Sequence, residues 1–474
     1  MNGATLALRG VESFMLRLFL TLTLTVMCLG AAEAPVYVVL WFDTEDYILP
    51  AADDAALRLA ADLSKAGVRA TFKVVGEKAR TLEARGREDV IHALAAHDIG
   101  YHSNFHSIQP APAVYLRDAG WLDGGAEFER RESPGVADLR RIFGMTPSCY
   151  GQPGSSWGPQ SYRALLRMGV PVYLDEGSHV SLDEQPFWFG GMLHVFGMGR
   201  FLIRPSIDDE SLLPAALAKF DQAAAELRKR GGGVISTYYH PTEFVATEFW
   251  DAVNFSKGAS RPRSEWKMPR RRTAESSERA YRILMRYVEH AKSRPGVEFV
   301  TARELLRLYE RQSKPASRDA IVEHMRARLT YLATPAGSLS AAEMLQSLLG
   351  MEPREIEGPL GRRASTYQGP DPQGADLETA KSDVRAFIEA NRRLPSEVWF
   401  GSTYLSIADF ARLLAGGLAA GRPRGAIEAE KHISSDSTKT FSWAIHPEGF
   451  SAPNLLELAR LQAWTLKPAI LKKR

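Results

Sequence analysis

"VYVVLWFDTED", residues 36–46, is an unbroken apolar run of strand length that ends in a cluster of carboxylates. A run apolar at every position, with no polar alternation, is the mark of a strand covered on both faces, as in a parallel sheet. The stretches that follow repeat the theme. "DDAALRLAADLSKAG" (53–67) has helical spacing and closes in glycine, and "VRATFKVV" (68–75) is a second strand. The alternation continues through "DVIHALAAH" into "DIGYHS", "VADLRRIFG" into "SCYGQPG", "PQSYRALLRMG" into "VPVYLDE", and "LPAALAKFDQAAAELRKRG" into "GGVISTYYH". "SSERAYRILMRYVEHAKSR" and "EFVTARELLRLY" complete it near residue 309. Repeated βα units predict an α/β fold with a parallel sheet, and this many in succession favour closure into a barrel.

The chain has 474 residues, 45% of them hydrophobic, and a formal net charge of +3. That is too apolar for disorder and too long for one average domain, so two globular parts are expected. A balance so close to neutral lacks the concentrated basic face of a nucleic-acid binder, and the one dense basic cluster, Arg270–Arg272, lies in a polar stretch and reads as a solvated loop.

The first residues read as an address. Arg9 and Arg17 precede the apolar "LFLTLTLTVMCLG" and the small residues "AAEA", which predicts a signal peptide over 1–34, with Met15 as an alternative start. The run is shorter than the roughly 20 residues of a membrane span. A secreted, periplasmic or cell-envelope location follows. Cys28 has bulky Met27 before it, which argues against lipid anchoring, and its loss with the leader leaves Cys149 alone, without an internal disulfide framework.

In a βα barrel the chemistry collects at the carboxyl ends of the strands. Asp43, Glu45 and Asp46 follow the first strand, His102 and His106 the third, Gln152–Gly154 the next, Asp175 and Glu176 another, and His240 the penultimate one. Two imidazoles and one carboxylate are a common protein share of a catalytic divalent metal site. The H-x-x-x-H spacing turns both rings to one point if the intervening residues form a helical turn. Ligand type fits zinc, with nickel, cobalt and manganese not excluded. Such an ion activates water and polarises a carbonyl, the equipment for hydrolysing an amide or ester.

The series "FDTED", "YHSNFHS", "YGQPG", "YLDE", "YYHP" resembles the NodB-type polysaccharide deacetylase family, carbohydrate esterase family four, over about residues 35–310. The resemblance implies a deformed (β/α) barrel over 35–312 and a metal-dependent hydrolase that removes acetyl groups from an N-acetylated cell-wall or extracellular polysaccharide. It implies an aspartate base, carried over to Asp43, and a histidine acid, carried over to His240. Thr44 intervenes where many members place the metal-binding aspartate, so the ligand moves to Glu45 or Asp46. Side chains alternate in an extended segment, which puts Glu45 on the side of Asp43 and favours Glu45, with His102 and His106, as the metal set. Asp46 then reads as a cap on the next turn. Gln152 stands where the family often has the arginine that charge-pairs the base; glutamine can hydrogen-bond Asp43 but brings no cation. The Pro153-Gly154-Ser155 turn could offer backbone N–H groups to an oxyanion. Trp157 either stacks on a sugar or packs under its loop. Asp175 resembles a residue that orients the acid histidine, or is a strand-end surface acid. Pro241 holds His240 extended, and an imidazole poised near neutrality suits donation to a leaving amine. His179 and His194 match no motif and read as structural or solvent-facing.

Beyond a linker expected at 313–322 the βα alternation stops. "LSAAEMLQSLLG" (339–350) and "LSIADFARLLAG" (405–416) look like two copies of one short amphipathic helix, separated by the Pro/Gly-rich "GPLGRRASTYQGPDPQGADLE". Residues 323–474 are therefore expected as a smaller, mainly helical accessory domain. The second copy with its upstream "FIEANRRLPSEVWFGSTY", about residues 381–415, is similar to the pseudomurein-binding repeat, which implies attachment to a cell-wall polymer. Two rival functions stay open: hydrolysis of a non-carbohydrate amide, and a catalytically idle polysaccharide-binding protein.

Overall fold

The computed structural model describes residues 33–311, 316–334, 337–418, 426–436 and 441–472. Most of the expected signal peptide, with Cys28, residue 312 at the end of the expected barrel and residues 313–315 of the expected linker lie outside the described residues. No helix among the described residues is long and apolar enough to cross a membrane.

The fold is α/β, with a curled sheet at its centre. Its strands are β1 (Val36–Thr44), β2 (Thr71–Val74), β3 (Asp98–Tyr101), β4 (Cys149–Tyr150), β5 (Val172–Leu174), β6 (Phe187–Phe189), β7 (Met192–Val195), β8 (Gly233–Tyr239) and β9 (Val297–Val300). They run in the order β6-β7-β5-β4-β3-β2-β1-β8, with β9 also on β1, and all pairings but β6–β7 are parallel. β1 is buried at all nine positions, as its unbroken apolar run predicts. The helices between strands pack outside, among them Pro50–Lys65, Trp121–Phe143, Leu213–Lys229 and Ala274–Lys292.

The expected closure is incomplete, which makes the barrel a deformed one. Among the described residues, β8 pairs with no strand on the far side of the sheet; it meets that side through a single bridge, Leu202 with Ser236, and through side chains such as Gln185, which accepts from Val234 N (2.8 Å) and donates to Val234 O (3.1 Å). An amide side chain thus satisfies backbone groups that a further strand would otherwise pair.

Within 323–474, each sequence copy occupies the same place in a repeated helix–hairpin–helix unit. The first comprises Arg318–Ala327, the antiparallel strands Leu332–Thr334 and Gly337–Leu339, and Ala341–Leu348; the second Gly374–Asn391, the antiparallel strands Glu397–Phe400 and Thr403–Ser406, and Ile407–Leu414. Ser340 and Ser406 cap the two closing helices, accepting from Glu343 N and Asp409 N. The helix Arg318–Ala327 begins inside the stretch expected as linker. The C-terminal part also joins the barrel: Lys467–Pro468 adds an antiparallel strand beside β6.

Candidate active site

The carboxyl ends of β1, β3, β4, β5 and β8 surround a pocket of about 310 Å³ lined by Asp43, Glu45, His102, His106, Gln152 and His240 among others. Glu45 leaves β1 with its carboxylate 3% exposed. Its Oε2 lies 3.2 Å from His102 Nε2 and 2.8 Å from His106 Nε2, and the three donor atoms all fall within 4.8 Å of one another. The other ring nitrogens are engaged. His102 Nδ1 donates to Gly151 O (3.0 Å), and His106 Nδ1 is 2.6 Å from Ser107 Oγ. Both imidazoles are thereby turned with Nε2 towards one carboxylate oxygen, a donor set and orientation that fit a divalent cation. Burial lowers the pKa of His102 and favours the neutral form a metal needs. Burial alone would raise that of Glu45, but His106, His240 and the hydrogen bonds from His102 and His106 outweigh it and hold the carboxyl well below its ordinary value.

The two histidines do not share a helical turn, as their spacing suggested. The chain from His102 to Ser107 is a loop in which Ser103 and His106 take left-handed backbone (φ 67° and 58°), and Ser103 Oγ accepts from His106 N at 3.0 Å. A serine-pinned turn performs the convergence expected of a helix. Asp46 is spent as a cap: Oδ1 accepts from Ile48 N (3.0 Å) and Leu49 N (2.9 Å), and Oδ2 from Thr242 Oγ1 (2.9 Å).

Asp43 and His240 flank the cluster. His240 Nε2 stands 3.7 Å from Asp43 Oδ2 and 3.9 Å from Glu45 Oε2, and Nδ1 is 3.0 Å from Glu243 Oε2. Burial by itself would lower the pKa of His240; the charge of Glu45, the bond and charge of Glu243, and Asp43 override it and raise it to about 9. A protonated imidazole fixed at Nδ1 and facing the pocket with Nε2 can donate a proton there.

The cation that Gln152 cannot bring comes from a residue sequence reasoning missed. Lys73, mid-strand in β2, is fully buried; its Nζ lies 2.9 Å from Asp43 Oδ1 and 3.1 Å from Asp175 Oδ2, donates to Leu174 O (2.8 Å), and sits 4.0 Å over the Trp41 ring. Burial would strip its proton, but the two carboxylates outweigh this and its pKa is raised. Gly151 makes room, because a Cβ there would collide with Lys73 Nζ. The signal was present: a lysine inside an apolar strand is almost never buried unless paired.

The expected bond from Gln152 to Asp43 is not made. Gln152 Nε2 donates to Asp175 Oδ1 (3.2 Å) and Oε1 accepts from Tyr173 OH (2.5 Å), while Lys73 bridges Asp175 and Asp43. Asp175 is a buried member of the site, 3% exposed. Trp157 is fully buried beneath the loop, donating to Tyr162 OH (2.9 Å) and stacked on His179 at 4.6 Å, so its face is not open to a sugar. Gly154 lines the pocket, and Pro153 O accepts from Ser156 N at the turn. His179 also lines the pocket, whereas His194 is buried, with Nε2 3.0 Å from Phe189 O and its pKa pushed down to about 3 by burial.

Three further residues complete the wall and were not foreseen. Phe249 meets His240 edge-on at 4.8 Å, Asp251 lies 4.0 Å from His106 Nδ1, and Trp443 reaches in from the far end of the chain.

No family model and no curated protein matches the chain. Among solved structures it is similar to a family 4 acetyl xylan esterase from Clostridium thermocellum with a cobalt ion (16% identity, 57% of this chain and 91% of that one, TM-score 0.30). It is also similar to a mutant of the peptidoglycan deacetylase PdaC from Bacillus subtilis (13%, 58% and 91%, 0.30) and to the Puue allantoinase (14%, 58% and 90%, 0.37). Likenesses this small say nothing of chemistry, which rests on the residues themselves.

Proposed function

We propose that the protein is a metal-dependent hydrolase that removes acetyl groups from an N-acetylated cell-wall or extracellular polysaccharide. The observation that carries this reading is the placement of Asp43 and His240 together beside the Glu45, His102 and His106 cluster, with His240 Nε2 within 4 Å of both carboxylates. A divalent cation held by those three residues, zinc by ligand type, supplies Lewis acidity for water and for the carbonyl oxygen. Asp43 accepts a proton from the attacking water as the C–O bond forms. His240 gives its proton to the nitrogen as the C–N bond breaks, releasing amine and acetate. Lys73 positions Asp43, and Glu243 fixes the ring of His240.

Export rests on the leader-like residues 1–34. Attachment to wall polymer is proposed for the repeated units of 323–474, where Trp399, 54% exposed, and Tyr404 pair at 5.0 Å and offer an aromatic surface. The test is acetate release from acetylated glycans by the purified chain, with and without chelator and after zinc, cobalt or nickel is restored. Release that chelation abolishes and metal restores is the expected result; binding of glycan with no acetate in any metal form would leave the idle-binder reading standing.

A further inference from the structure

The pocket has a wall from the last thirty-odd residues of the chain, and that wall bears on what can enter. Trp443 donates from Nε1 to Asp251 Oδ2 (2.6 Å) and from its backbone N to Ser155 Oγ (3.0 Å), and meets Phe249 edge-on at 5.6 Å. It lies so close on Gly154 that a Cβ at 154 would run into the indole. The flanking residues are tied down independently. Ile445 is fully buried in an apolar cluster with Tyr47, Val75 and Trp250; its carbonyl accepts from Gln109 Nε2 (2.9 Å), and Ala444 O accepts from Lys257 N (2.7 Å).

Gly154 and Ser155 follow β4, while Phe249 and Asp251 lie at the start of the short helix Trp250–Asn254 beyond β8, and β3, β2 and β1 separate those two strands in the sheet. The indole therefore spans two distant parts of the barrel mouth. A polymer bound through its interior must leave a site in two directions, which requires a cleft open at both ends. Here Trp443 crosses one side of the mouth between Ser155 and Asp251, and the space left, about 310 Å³, is at the small end of the roughly 300–1,000 Å³ typical of ligand pockets.

We propose that Trp443 is a specificity-determining residue that makes the site blind-ended, so that it takes an N-acetylated chain end or a short oligomer and not the interior of a long chain. The proposal rests on the hydrolase reading above and deepens it.

The test uses the full chain, zinc-loaded, with N-acetylglucosamine oligomers of increasing length, reading the position of each deacetylated residue by mass spectrometry and the affinity for each length by calorimetry. The wild type should deacetylate terminal residues and gain little affinity with length. Trp443→Ala should open internal positions and let affinity rise with length, losing on the order of tenfold or more in discrimination, the worth of one apolar contact. Trp443→Phe, which keeps a ring but gives up the bond to Asp251, should stay terminal. Gly154→Ala, which pushes the indole away from the opposite side, should shift the pattern as Trp443→Ala does, so the result does not hang on one variant. Internal deacetylation by the wild type, or a pattern unmoved in both Trp443→Ala and Gly154→Ala, overturns the wall and leaves the hydrolase reading intact. Neither binding nor acetate release with any oligomer overturns both.

Discussion

Lys73 stands directly across from Asp43 in the β1–β2 register, and its Nζ lies 2.9 Å from Asp43 Oδ1. The strand pairing itself delivers the cation to the base. Lys73→Met leaves Asp43 and Asp175 buried without it, and breaking a buried pair from one side costs about 3–5 kcal/mol. We expect a lower unfolding temperature, a reduced kcat with KM for a short substrate little changed, and metal content retained by elemental analysis. An unaltered kcat would remove Lys73 from the positioning role.

The ligand set separates Glu45 from its neighbour. Glu45→Gln and His102→Ala should each lose stoichiometric metal, while Asp46→Asn, which keeps an oxygen for Ile48 N and Leu49 N, should keep it. Metal analysis after dialysis decides this. Equal loss in Asp46→Asn would show that the cap, and not coordination by Glu45 alone, governs the site.

Asp43 and His240 should part company kinetically. Asp43→Asn keeps Glu45, His102 and His106 and should stay metal-bound while turnover collapses on amide and ester alike. His240→Ala removes the proton donor, so its loss should be about 10²–10⁴-fold on an acetamide and much smaller on an activated aryl acetate, whose leaving group needs no proton. Equal losses on both substrates would assign His240 another task.

A pH effect on stability is expected from Glu132, in the helix Trp121–Phe143. Its carboxyl accepts from Tyr101 OH (2.5 Å) and Asn104 N (2.8 Å), and burial pushes its pKa from 4.5 up to about 7. Between those values the folded chain keeps a proton that the unfolded chain has released, so this residue's contribution falls as pH rises across that window. Glu132→Gln should flatten the slope of unfolding free energy from about pH 4.5 to 7, measured by denaturant titration. A slope that does not change would place the titration elsewhere.

Much of this was legible in the residues in order. The βα alternation gives the sheet, the pair of copied helices gives two copied units, and alternation along "FDTED" singles out Glu45 from Asp46. What escaped were relations that chain order conceals. The His102–His106 spacing says nothing about left-handed backbone at Ser103, and the rings converge without the helical turn that was one way to bring them together, in a loop where Ser103 Oγ accepts from His106 N. The partners of Lys73 and Trp443 lie up to 102 and 288 residues away, and only the sheet order and the packing of the C-terminal segment bring them together. Trp157 carried no mark to distinguish a buried ring from an open one.

The bare backbone at Gly151, just past β4, ties that position to Lys73 on β2 as a single inherited character. An alanine at 151 would collide with the Lys73 ammonium and with the Asp175 carboxylate. A chain that keeps the lysine should therefore keep the glycine, and one with arginine at 152 should be free to lose both. Gly151, which carries no functional group at all, is then the residue by which descent with this buried lysine can be traced.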